Sequence, residues 1–269
     1  METPAPNGVS PIIEMRGVDV TSAQSDADRV ITGVSWRVAA GDYWVVGSLP
    51  GAGKSALLLT AAGVQRPGSG DLRLFGQCPE SRSETEWLAD RLRLSLVLES
   101  GGRLFSRMTV FENVALPYCY HYDCAPSAIA DRVRQALELT ELTEYAGSLP
   151  ARLPRSLSPR VGLARGLVTR PEALLLDNPL YGLDHRQTRW WLDTLEALAA
   201  GHSFLGGRPL TLALTTDHFR PWLERGRQFA VIRQQQWEVL GGRAGLEQSD
   251  DAVVKERSEE HTSELQSQR

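Results

Sequence analysis

Between Gly47 and Ser55 the chain reads Gly-Ser-Leu-Pro-Gly-Ala-Gly-Lys-Ser, and no other run restricts the possible folds as much. It follows Tyr43-Trp44-Val45-Val46, a short continuous apolar run of the kind expected for a strand buried on both faces. It precedes Lys54 to Val64, a segment of high helix propensity expected to end near Gly63. Strand, glycine-rich loop and helix in that order make an anion site. The backbone N–H groups of Gly51, Ala52, Gly53, Lys54 and Ser55 can curl around phosphate oxygens, glycines remove blocking Cβ atoms, and the helix N-terminus adds its dipole. A Gly-Lys-Ser triplet alone is common in loops; its place between strand and helix gives it weight. Ser48, Pro50, Gly51, Ala52, Gly53, Lys54, Ser55 and Ala56 are therefore the candidate nucleotide-binding residues. Lys54 would reach the β- and γ-phosphates of a nucleoside triphosphate, and the Ser55 hydroxyl would hold Mg²⁺. One position departs from the motif: its first glycine falls on Ser48, with Gly47 one residue early.

Around this loop, strand and helix patterns alternate. Ile12 to Val20 reads as an edge strand, Thr21 to Arg29 as polar and turn-like, and Val30 to Val38 as a second strand. Ala40-Gly41-Asp42 is a turn and Pro67 to Gly70 a loop; Leu72 to Gly76 and Leu92 to Leu98 are further strands. Leu104 to Arg170 reads as mostly helical, with helices over Val110–Leu116, Ser127–Leu139 behind Pro126, and Arg160–Val168. Strands resume at Ala173–Leu176 and Leu210–Thr215, separated by an amphipathic helix over Gln187–Ala199. Phe229–Arg233 and Trp237–Leu240 form a terminal hairpin. The alternation predicts an α/β fold with a largely parallel sheet and a helical subdomain inserted over about 104–170.

Composition narrows the class. In 269 residues, 42% are hydrophobic and 23% charged, the profile of an ordinary globular chain with ample length for a core. The net charge of −4, with acids and bases interspersed, leaves no basic footprint for nucleic acid. No apolar run approaches the ~18–20 residues that cross a bilayer. Cys78, Cys119 and Cys124 do not make a disulfide framework, and the spacing of Cys119 and Cys124 suits two ordinary thiols better than a zinc pair. Residues 1–10 lack the parts of a signal peptide and are expected to be disordered, and 242–256 reads as a tail. Residues 257–269 include RSEEHTSELQS, which reads as a sequencing-adapter-derived scar; a genuine polar tail is the alternative.

The loop sits within a longer set of matching segments. Gly41-Asp42, Ala62-Gly63 and Pro67-Gly68-Ser69-Gly70-Asp71 resemble the ATP-binding domain of ABC transporters. So do Leu104-Phe105, Thr109-Val110 and Glu112-Asn113-Val114, the helix Arg160 to Leu167, the strand Leu174-Leu175-Leu176-Asp177, and Gly182-Leu183-Asp184. The resemblance spans about 11–241 in order, and Leu104 to Pro117 is most similar to the ATPases of Mce-associated phospholipid-trafficking systems. It implies a P-loop NTPase with an antiparallel β subdomain and an inserted helical subdomain. It further implies ATP with Mg²⁺ as cofactors, Asp177 as a metal residue beside Ser55, and head-to-tail pairing with a second ABC domain. Expected partners are that domain and an integral membrane permease; the expected place is the cytoplasmic face of the inner membrane.

Several positions that the family uses for chemistry are filled differently. The glutamate that polarises the attacking water falls on Asn178, whose amide positions water but cannot accept its proton. The switch histidine falls on Thr216, which supplies no imidazolium charge, although a hydroxyl can still donate one hydrogen bond. His218, two residues on, could be proposed as a substitute, but on a strand-to-loop exit the sequence does not give its direction, which disfavours that reading. The glutamine expected to ligate the metal falls on Glu99, and two readings stand: a better Mg²⁺ ligand, or unwelcome charge beside the triphosphate. The adenine-stacking aromatic expected near Val20 to Ala23 is missing. The signature Leu-Ser-Gly-Gly-Gln falls on Leu153-Pro154-Arg155-Ser156-Leu157, where Pro154 removes a backbone donor and Arg155 is either a phosphate contact or a solvated side chain. Asn178 and Thr216 are thus the degenerate catalytic positions. The expectation is an ATP-binding transporter subunit, or alternatively a pseudo-ATPase that holds ATP as a structural or regulatory ligand.

Overall fold

The structure, a computed structural model, describes residues 10–22 and 25–248. The readings made for residues 1–9, for Ala23 and for 249–269, the scar included, lie outside the described residues. In chain order the strands are β1 (Ile13–Ser22), β2 (Ser25–Val38), β3 (Tyr43–Ser48), β4 (Ser69–Leu74), β5 (Leu94–Val97), β6 (Ala173–Leu176), β7 (Thr211–Thr216), β8 (Gln228–Arg233) and β9 (Gln236–Gly241). The helices are α1 (Lys54–Ala61), α2 (Glu84–Leu92), α3 (Val110–Tyr122), α4 (Ala130–Leu139), α5 (Ser158–Leu167), α6 (His185–Gly201) and α7 (Arg243–Gln248).

All strands join one sheet in the order β4-β1-β2-β9-β8-β3-β7-β6-β5. From β8 to β5 the pairs are parallel, and β1 runs antiparallel to both β2 and β4. The antiparallel part is continuous with the rest through the parallel pair Thr32↔Gln236, reinforced where Trp237 packs on Trp36 with ring centroids 5.4 Å apart. The parallel strands are buried on both faces, and the side-chain period of two sorts their residues between two cores. Tyr43, Val45, Leu174, Leu176, Leu212 and Leu214 face the core covered by α3, α4, α5 and α6. Trp44, Val46, Leu175, Ala213 and Ile232 face the core that holds Leu57 and Leu58 of α1 and the inner side of β1 and β2.

Besides the loop read over Pro67 to Gly70, whose Ser69 and Gly70 open β4, three sequence readings change. β1 is not an edge strand: β4 covers it, and the edge lies one strand further out. The turn-like stretch 21–29 is mostly strand, because β1 continues to Ser22 and β2 begins at Ser25, with Ser22 opposite Ser25. The third change is α3, which runs through Pro117 where the sequence reading stops at Leu116. A proline inside a helix costs about 3 kcal/mol, and here Tyr118 and Cys119 beyond it pack on the core to offset that cost. Two helices were not anticipated: α2, and α7 within the segment read as a tail. Helix α2 opens with a capping box in which Ser83 and Glu86 satisfy each other's backbone N–H groups.

Candidate functional site at the strand ends

The glycine-rich loop leaves β3 at Ser48 and enters α1 at Lys54. Gly47 lies inside β3, and its early position has a packing cause: a Cβ there would sit 2.1 Å from the Phe219 ring. Ser48, at the place of the motif's first glycine, is buried, and its hydroxyl donates to the Leu49 carbonyl at 3.0 Å. Gly51 and Gly53 have φ of +79° and +93°, the left-handed region that costs an L side chain most. Gly53 is also the N-cap of α1, where no side chain takes the first-turn N–H groups. The first-turn amides of α1 therefore have no side-chain cap among the described residues. Pro50 is exposed at the outer turn and Ala52 half-buried.

Parallel pairing brings the other residues to the same end. Asp177 follows β6, and Thr215 to Asp217 close β7 beside β3, with Gly47 opposite Thr216. Asp177 is buried, and both its oxygens are taken: Oδ2 accepts from the Ser55 hydroxyl at 2.5 Å and Oδ1 from the Thr215 hydroxyl at 2.8 Å. Asn178 has φ of +45° and is buried; its N–H donates to Thr215 Oγ1 at 3.1 Å. Its side-chain amide donates to Asp217 Oδ2 at 2.7 Å and to Glu99 Oε2 at 3.4 Å. Asp217 Oδ1 is 2.5 Å from Lys54 Nζ, which also reaches the Leu49 carbonyl at 3.4 Å. Burial works against the charge on Asp217, but the Lys54 ammonium and the Asn178 amide outweigh it and hold the carboxyl below its ordinary range.

The structure brings Lys54, Ser55, Asp177, Asn178 and Glu99 together, and it alters the reading of Thr216. That residue is buried, and its hydroxyl donates to the His218 carbonyl at 2.9 Å while accepting from His218 N–H and Trp222 Nε1. Its single donor is spent inside the turn, so the hydrogen bond anticipated from it is not on offer. His218 is exposed. Val20 and Thr21, where a stacking ring was sought, are buried. In the signature segment Leu153 is buried, while Pro154 and Arg155 are exposed before α5. Helix α5 is keyed to the Glu99 turn: a Cβ on Gly162 would lie 2.5 Å from Gly101 Cα, and Arg165 donates to the Gly101 and Arg103 carbonyls.

Other matched positions have structural duties. Thr109 and Glu112 form a capping box for α3, and the Asn113 side chain, fully buried, holds the Phe105, Met108 and Thr109 carbonyls. Asp184 caps α6 by accepting from Gln187 N–H at 2.8 Å. Cys119 and Cys124 are free thiols with Sγ atoms 3.6 Å apart. Thr215 and Asp217 were missed by sequence reasoning. The available signal was position alone, since both stand at the exit of a strand that must lie next to the loop's own strand.

Comparison with known proteins fits this geometry. The family profile described as ABC transporter matches residues 31–181, more than half of the chain. The chain belongs to the ABC transporter family. It is 31% identical over 188 residues to the methionine import ATP-binding protein MetN of Lacticaseibacillus paracasei, covering 70% of this chain and 53% of that protein. It is 32% identical over 189 residues to the spermidine/putrescine import ATP-binding protein PotA of Pasteurella multocida, covering 70% and 48%. The chain thus spans about half the length of the curated relatives it matches. Among solved structures, the dimeric ATP-binding cassette MJ0796 bound to ADP and Pi superposes with a TM-score of 0.73 at 21% identity, over 84% of this chain and 96% of that one. CbiO1 of Clostridium perfringens, part of the ABC transporter complex cbiONQ, gives 0.73 at 18%, over 95% and 97%. These two likenesses establish the fold, a P-loop NTPase cassette. Among the described residues no helix is long and apolar enough to cross a membrane.

Proposed function

We propose that this chain is the nucleotide-binding subunit of an ABC transport system, that it holds Mg·ATP in the loop Ser48 to Ala56, and that its own hydrolysis is weak. The observation that carries the binding half is the convergence of Lys54, Ser55 and Asp177 at a loop that holds two left-handed glycines, Gly51 and Gly53. The donor set fits the group: Ser55 and Asp177 would hold Mg²⁺, and Lys54 with the amides of Gly51, Gly53, Lys54 and Ser55 the phosphates, while the Ala52 amide is turned to the Leu49 carbonyl; Glu99, bonded to Asn178, stands beside them. When bound, the metal would neutralise charge on the terminal phosphates. Thr215 keeps Asp177 aimed at Ser55, and Asn178 would orient a water without deprotonating it.

The weak-hydrolysis half rests on Asn178 and on the spent hydroxyl of Thr216, and it favours the pseudo-ATPase reading of this subunit's own site. The altered signature at Pro154 to Leu157 extends the same conclusion to a site completed with a second ABC domain. A membrane permease and that second domain are the partners this reading requires, and the import roles named for the relatives support an import system. Equilibrium binding of Mg·ATP to the purified chain and to Lys54→Ala tests it. Saturable binding lost in the variant is expected; equal binding by both would end the assignment of the loop.

A further inference from the structure

Asp217 stands one residue beyond Thr216, and its carboxylate bridges the two groups at the outer end of the loop. One oxygen is 2.5 Å from Lys54 Nζ and the other accepts from Asn178 Nδ2 at 2.7 Å. Lys54 is 8% exposed, and its other acceptor among the described residues is the Leu49 carbonyl at 3.4 Å. The cation that the loop would present to phosphate is therefore already neutralised. The residues filled unusually here make that arrangement possible. An amide at 178 donates to the carboxylate, where a glutamate would repel it, and Thr216 keeps its own hydroxyl turned into the neighbouring turn.

We propose that Asp217 occupies the place of a terminal phosphate against Lys54 and thereby makes the site prefer a nucleoside diphosphate over the triphosphate. This rests on the nucleotide reading above. An ammonium has three donors, so Lys54 can serve a β-phosphate oxygen while keeping Asp217. A γ-phosphate would compete with Asp217 for Lys54, and it would bring its negative charge against a carboxylate held by Lys54 and the Asn178 amide, with His218 beside it. Glu99, hydrogen-bonded to the same Asn178 amide, adds negative charge on that side. The triphosphate enters only by displacing Asp217; the diphosphate leaves it in place.

The test is equilibrium binding of Mg·ADP and Mg·ATP to the full chain, to Asp217→Asn, Asp217→Ala and Lys54→Ala. The wild type is expected to bind ADP more tightly than ATP. Both Asp217 variants should tighten ATP by at least about tenfold and change ADP by less than about threefold, because only the triphosphate meets the lost charge. The alanine variant covers the case in which an asparagine still holds Lys54. An unchanged ATP-to-ADP ratio in both variants, with binding that Lys54→Ala abolishes, overturns the role of Asp217 and leaves the nucleotide reading standing. A wild type that binds neither nucleotide, or a Lys54→Ala that binds as well, overturns both.

Discussion

Asn178→Glu inserts the carboxylate that the family places after Asp177, and the structure predicts that the ligand-free protein will lose stability. The substitution removes the charge-assisted bond from Asn178 Nδ2 to Asp217, 2.7 Å long and nearly buried, of a kind worth about 1.5–3 kcal/mol. It sets a second carboxylate against Asp217 and near Glu99, so the new side chain must swing outward or take up a proton. Position 178 has φ of +45°, which asparagine tolerates better than glutamate. Together these give a loss of about 2–4 kcal/mol, or roughly 5–12 °C in Tm for a domain of this size. The backbone penalty belongs to one site and cancels in a double-mutant cycle with Asp217→Asn, where an amide at 217 can donate to the new glutamate. Urea unfolding of the four proteins should return a coupling energy of about 1.5–3 kcal/mol. A coupling near zero, or an Asn178→Glu as stable as wild type, would refute the 178–217 contact.

Three further outcomes follow from particular contacts. Gly162→Ala should destabilise by about 1–3 kcal/mol in urea unfolding, although alanine gains ~1 kcal/mol in an ordinary helix, because its Cβ would meet the Gly101 backbone at 2.5 Å. A more stable variant would show that α5 and the Glu99 turn are not in contact. Burial, and then the neighbouring Cys124 thiol with which it shares a hydrogen bond, push the Cys119 thiol up to about 11, so at about pH 8 its alkylation by iodoacetamide should be slower than that of free cysteine by on the order of a hundredfold. The Gly33 N–H, then the Ser69 hydroxyl and Arg29, hold the Asp19 carboxyl below its ordinary range. Its folded pKa is lower than its unfolded one, so its contribution is present above the unfolded value and lost as pH falls through the folded one. The urea midpoint should therefore drop as pH falls below about 4, the ordinary carboxylate value, less steeply in Asp19→Asn.

Much of the fold is legible because the sheet's physics is local. Tyr43 to Val46, Leu174 to Leu176 and Leu212 to Leu214 are short uninterrupted apolar runs, which suit strands covered on both faces. The loop is legible because left-handed glycines before Lys54 have few other uses. Helix α2 was missed although its signal is local, since Ser83 and Glu86 spell a capping box before Trp87 and Leu88. Strand extent near Ser22 and Ser25 was not, because polar residues pair as well as apolar ones when a neighbouring strand such as β4 fixes the register. The role of Asp217 was hidden for another reason. Its partners lie 163 and 39 residues away, and the β3–β7 register that unites them is written in no short motif.

The measurement closest to the central claim is phosphate release from Mg·ATP by the same preparation whose nucleotide binding has been titrated, with Lys54→Ala beside it. The account predicts saturable binding that requires Lys54, with release below the wild-type family's ordinary turnover by about 10²–10⁴-fold, the general-base factor that Asn178 gives up. Turnover at ordinary ABC rates, lost in Lys54→Ala, would contradict it.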